Sequence, residues 1–262
     1  MMVELFFFGV GEGSSRKAIE SFAPRKFNIM INYASAVKPI PKNVNKLFVD
    51  SGGFSFFFKL REYPDSHEKY LEFVLRKNAD FFANRDYPCE PEVLRQTGRT
   101  VRENQLKTIE NQIAIQDLID DQYPELKDRF VAVLQGRTLK EYLQMLDEMK
   151  NQGLLTRLIG IGSVCRRGQE RQIRRIITTL RAELPRKYGL HAFGVKFSVL
   201  KYKDVWDALY SADSLAYRYG IDRVKDPRPI PEQIRESLAK WINRLDALAT
   251  AHSNQMTLME VV

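Results

Sequence analysis

The chain has 262 residues, 44% of them hydrophobic, which suits a single domain and is ample for a continuous apolar core. Its 41 Lys and Arg against 33 Asp and Glu give a formal charge of +8, a field that attracts polyanions at long range without choosing among them. The two cysteines, Cys89 and Cys165, are far apart and lack Cys or His neighbours at ligand spacing, so a disulfide framework and a zinc ribbon are excluded and no metal or cofactor is expected.

The opening apolar run Met1–Phe8 is too short to span a bilayer and lacks a basic leader. It reads as a strand, in a cytoplasmic protein with no membrane segment. The following Gly9-Val10-Gly11-Glu12-Gly13 lacks the spacing of a dinucleotide-binding loop. Short apolar runs suited to strands buried on both faces recur at Glu4–Gly9, Asn28–Tyr33, Lys46–Val49, Ala79–Ala83, Phe130–Leu134, Arg157–Ile161, His191–Val195 and Ala208–Ser211. Between most of them lie charged segments with helical spacing, at His67–Lys77, Gly98–Asp121, Leu139–Gln152, Gly168–Arg181 and Tyr202–Leu209. Eight strand–helix alternations predict a single-domain α/β fold, a (β/α)8 TIM barrel over residues 1–248 without a zinc subdomain. Pro231–Leu248 reads as an amphipathic closing helix, and residues 249–262 as a frayed tail.

In such a barrel, function sits where strands end at their C-terminal side. There Leu47-Phe48-Val49 delivers Asp50-Ser51-Gly52-Gly53-Phe54, Phe81-Phe82-Ala83 delivers Asn84-Arg85-Asp86, and the 131–134 run delivers Gln135-Gly136. Later runs deliver Gly162-Ser163, Lys196 and Asp213-Ser214. Singly, each has a plain reading: Asp-Ser-Gly-Gly is a turn, and Asp86 or Asp213 a helix N-cap. Their recurrence at successive strand ends favours a shared site. His67 and His252 read as exposed, and His191 as the start of a strand.

These residues, in order from about Leu47 to Tyr217, resemble the tRNA-guanine transglycosylases, and most closely their shorter DNA-modifying branch, called DpdA. Asp50-Ser51-Gly52-Gly53-Phe54 is similar to the family's DSGGF signature, Gln135-Gly136 to its VQG segment, Gly160-Ile161-Gly162-Ser163 to its glycine-rich strand end, and His191-Ala192-Phe193-Gly194-Val195 to its H-x-x-G-V strand. No cysteine follows Cys165, so the C-terminal zinc site of the tRNA enzymes is missing, and the chain has no length for an appended RNA-binding domain. The resemblance implies exchange of guanine in DNA for a 7-deazaguanine of the preQ0 type. Asp213 would be the nucleophile and Asp50 the acid/base. Asp86 would read the base's N1–H and amino group, Gln135 and the Gly162 backbone its carbonyl, and Ser51, Gly52, Phe54, Ser163 and Lys196 would complete the substrate site, with Tyr87 a second stacking candidate. Arg166, Arg167, Arg171, Arg174 and Arg175 follow the Gly162 loop and are the candidate DNA contacts, against the plain reading of a solvated helix face. Exchange on tRNA, a non-catalytic nucleic-acid-binding companion subunit and a phosphate-binding barrel isomerase or lyase are the competing readings. A homodimer is compatible with the sequence.

Overall fold

Eight parallel strands pair in chain order and close on themselves: β1 (Leu5–Val10), β2 (Phe27–Asn32), β3 (Val44–Asp50), β4 (Phe81–Ala83), β5 (Phe130–Leu134), β6 (Leu158–Ile161), β7 (Gly189–Ala192) and β8 (Ser211–Ser214). The (β/α)8 TIM barrel expected from the alternation is the fold. The coordinates, a computed structural model, describe residues 3–35, 40–165, 168–221 and 226–259, with side chains of the last helix described as far as Ser253.

The helices on the outside are α1 (Gly13–Glu20), α2 (Gly53–Leu60), α3 (His67–Lys77), α4 (Pro91–Thr97), α5 (Val101–Gln122), α6 (Leu139–Asn151), α7 (Glu170–Glu183), α8 (Phe197–Leu200), α9 (Lys203–Ala208) and α10 (Ile230–Met259). Their starts follow local chemistry. Thr100 and Thr138 each accept from the backbone N–H three residues on, while Glu103 and Glu141 reach back to the capping backbone. None of the described helices is long and apolar enough to cross a membrane.

Alternation along each strand separates two cores. Residues such as Ile29, Val49, Ala132, Ile159 and Leu190 face the helices. Phe7, Met30, Phe48, Val131, Val133 and Leu158, with Phe81, Phe193 and Tyr210 packed against them, fill the barrel interior. Stepping two residues further along an inward-facing series leads from Phe48 to Asp50, from Met30 to Asn32, from Val133 to Gln135 and from Ser211 to Asp213. The interior parity therefore turns from apolar to polar at one end of the barrel.

Most boundaries shift by a residue or two, and those in the last third of the chain matter most. The last strand is Ser211–Ser214 instead of Ala208–Ser211, because Ala208 finishes α9 and Leu209 packs in the outer core. Strand β7 ends at Ala192, since Gly194 adopts φ +60° and turns the chain. Helix α10 runs well past Leu248, and His252 is buried, its ring 5.2 Å from that of Trp206, instead of exposed.

The seam between β8 and β1 sets Asp213 beside Phe7 in register. Around it Tyr217 donates to the Gly9 carbonyl at 2.6 Å, and Arg25 pairs with Asp246 of α10 at 3.1 Å.

Candidate active site

The DSGG segment is dictated by close packing. Gly52 has φ +79°, and a Cβ there would lie 2.8 Å from the Ala34 nitrogen and the Asn32 side-chain oxygen. A Cβ on Gly53 would lie 2.8 Å from the Asp86 carbonyl oxygen. The two glycines let the β3 end press against the β2 and β4 ends, bringing Asp50 and Asp86 to one place.

A cavity of about 190 Å³ opens there, and Asp50, Asp86 and Asp213 all line it together with Gln135, Gly162 and Ser163. Met30, Phe54 and Phe193 supply apolar wall, and Glu90 and Cys165 face it from the side. The space is smaller than a drug-sized pocket and suits one flat base.

Each carboxylate is held differently. Asp50 accepts from Asn32 Nδ2 at 2.7 Å and from the Gly52 N–H. Removal from water, then the charges of Asp86 and Asp213, push its pKa up to about 7 against those hydrogen bonds. Asp86 is also raised by burial, opposed by Ser51 Oγ donating at 3.0 Å and by the Gln135 amide. Asp213, 8% exposed, accepts the Gly194 N–H at 2.7 Å and lies 3.3 Å from His191 Nε2. On its other side the His191 ring has Nδ1 within 2.9 Å of Ser211 Oγ. His191 sits fully buried among Phe7, Phe48 and Phe193, so it is part of the site floor as well as of β7.

Side chains also connect along the far wall. Ser163 Oγ lies 2.7 Å from Glu90 Oε2 and 2.6 Å from Gln135 Oε1, while accepting from the Cys89 N–H at 2.9 Å. Gln135 in turn donates to Asp86, so the chain Glu90–Ser163–Gln135–Asp86 runs the length of this wall.

Other expected site residues take different places. The Gly162 N–H donates to the Leu134 carbonyl at 2.9 Å, so this amide is spent in the barrel and does not face a base carbonyl. Gly162 is glycine because a Cβ would overlap the Gln135 amide. Ser51 and Gly52 stand behind the cavity wall, and Lys196 caps the short helix α8, outside the lining. Phe54 lines the cavity, whereas Tyr87 packs on Phe57 at 4.6 Å and beneath Arg99 instead. Arg174 is engaged by Asp204 at 2.8 Å and lies over Tyr202, so it is no free cation. Arg171 and Arg175 are exposed on α7, and Arg166 and Arg167 lie outside the described residues.

Sequence reasoning missed Asn32, Glu90 and the roles of His191 and Arg85. Arg85, 1% exposed, pairs with Asp65 at 2.8 Å and stacks 4.2 Å over Tyr63, anchoring the loop that carries Asp86. For Asn32 a signal existed: a polar residue at the inward parity of an apolar strand. Glu90 stands before Pro91 at the start of α4, and no motif marks it.

No curated protein matches the chain significantly. The model of the family described as "DpdA: DeoxyPurine in DNA protein A" matches residues 27–255. The chain belongs to that family, and the membership supports a DNA-modifying transglycosylase role.

Proposed function

From this family membership, we propose that the protein exchanges guanine in DNA for a 7-deazaguanine of the preQ0 type, through a covalent bond between Asp213 and the sugar. The observation that carries the reading is the convergence of Asp50, Asp86 and Asp213 on one base-sized cavity, with Asp50 raised to about 7.

An Asp213 carboxylate oxygen attacks C1′ while the C1′–N9 bond breaks and its electron pair leaves on the base. Asp50, half protonated near neutrality, gives its proton to the departing guanine. The incoming 7-deazaguanine then returns a proton to Asp50, its N9 attacks C1′, and Asp213 is released, so both acids end as they began. Asp86 accepts from N1–H and the amino group of either base. Gln135 Nε2 has two hydrogens, one for Asp86 and one for the base carbonyl. The Gly194 N–H holds Asp213, with the His191 ring beside it. Because C1′ is inaccessible in a stacked duplex, the target nucleotide is extruded into the cavity. Exposed Arg171 and Arg175 are the described candidates of the basic set for flanking phosphates, with Arg166 and Arg167 as further candidates from the sequence.

The test is incubation with labelled guanine or a 7-deazaguanine and either duplex DNA or tRNA, followed by denaturing mass spectrometry. Label is expected in DNA alone, with a protein–DNA adduct on Asp213 and neither signal in Asp213→Asn. Incorporation into tRNA, or an adduct on another residue, refutes the assignment.

A further inference from the structure

We propose that Phe58 is a wedge that enters the base stack of duplex DNA and fills the gap left by the extruded nucleotide; this rests on the reading that the site acts on a nucleotide drawn from a duplex. The argument starts at the cavity wall. Phe54 lines the cavity, and one helical turn further along α2 the ring of Phe58 lies parallel to it, 15° between planes and 6.0 Å between centroids. Phe58 is nevertheless 52% exposed, whereas its neighbour Phe57 is fully buried. The cavity mouth therefore carries a stacked aromatic pair, one ring facing the site and the next facing solvent.

The helix behind Phe58 is stiffly supported, as a wedge requires. Phe57 packs on Tyr63 and Tyr87 at 5.3 and 4.6 Å, and Gln96 Nε2 donates to the Phe58 carbonyl at 2.6 Å. Lys59 and Arg61, on either side of the similarly exposed Leu60, face solvent at the same helix end. An apolar ring followed within three residues by two cations suits a base stack bordered by phosphates. The same basic surface on a second copy of this chain, at net charge +8, would repel it.

Extrusion leaves two base faces and an orphaned partner base exposed to water, and an inserted aromatic ring restores stacking. Single-stranded DNA needs no such compensation. The experiment measures labelled-guanine exchange into three substrates: a paired duplex, the same duplex with the target guanine opposite an abasic site, and the single strand. Phe58→Ala should lose at least tenfold in kcat/KM on the paired duplex and stay within twofold of wild type on the other two. Phe58→Trp should retain activity on all three. Equal losses on all substrates, no loss on the paired duplex, or wild-type exchange confined to the single strand would each overturn the wedge. Wild-type failure on every DNA substrate would instead refute the transglycosylase reading, and the wedge with it.

Discussion

Asp50, Asp86 and Asp213 are one side chain in three settings, and the settings divide the work. Asp213 accepts the Gly194 N–H and has the His191 ring 3.3 Å away. Asp50 has Asn32 and the Gly52 N–H but faces two other acids with little water. Its folded pKa of about 7 exceeds the ordinary 3.8, so the sign of the linkage is set: Asp50 favours the folded state below pH 3.8, and that contribution is lost as pH rises through about 7. At pH 8 the ionised, crowded carboxylate costs about 4 kcal/mol. Asp50→Asn should therefore melt higher than wild type at pH 8, with the gain gone by pH 4, while losing base exchange. Calorimetry across that range checks it, and an equal melting difference at both ends would contradict the crowding. In wild type, the rate of guanine departure should fall as pH passes 7, because the proton donor is being emptied. Asp50, Asp86, Gln135 and Asp213 were legible in the sequence because each stands at, or within three residues of, the end of an apolar run. Glu90 and His191 were not: a glutamate before proline and a histidine in an apolar run gain meaning only from neighbours distant in sequence, Ser163 for one and Asp213 for the other.

At the scale of elements, strand existence was readable and strand ends were less so. Phe130–Leu134 is uniformly apolar because both its faces are covered, and it was placed to the residue. Ser211–Ser214 defeats the same rule, since its inward residues serve His191 and the cavity instead of a greasy interior, so the apolar signal slid back onto Ala208. The polar end of an inward series is thus both where hydrophobic pattern fails and where chemistry resides. The β3–α2 junction shows how little tolerance this leaves. Gly52→Ala would force a left-handed φ on alanine and drive its Cβ against the Ala34 backbone, whereas Gly98→Ala, with φ +70° and nothing within 4 Å, meets the strain alone. We expect about 1 kcal/mol lost for Gly98→Ala and at least about 2 kcal/mol more for Gly52→Ala, the latter with loss of base binding. Urea denaturation of the two variants measures the difference, and equal losses would mean that the junction relaxes freely.

Across the whole molecule, charge and closure have different reach. The excess of eight positive charges raises encounter with any polyanion, but binding geometry is local: Arg174 is already held by Asp204, while Lys59 and Arg61 stand exposed at the end of α2. Closure is a property of the entire barrel. Strand β8, which carries Asp213, completes the sheet only by pairing with β1, through contacts as distant in sequence as Phe7 and Asp213. Such pairing forms late, because the loop entropy of joining distant segments must be met before any contact repays it. Asp50 at the end of β3 and Asp86 in the loop after the neighbouring β4 can assemble earlier. Chemistry should consequently be the last property to return after dilution from denaturant: far-ultraviolet ellipticity recovers first, exchange activity only in the slowest phase. Activity returning in step with ellipticity would mean that the seam forms early. If it forms late, the protein has a built-in safeguard in time, since no half-folded chain brings the three carboxylates together.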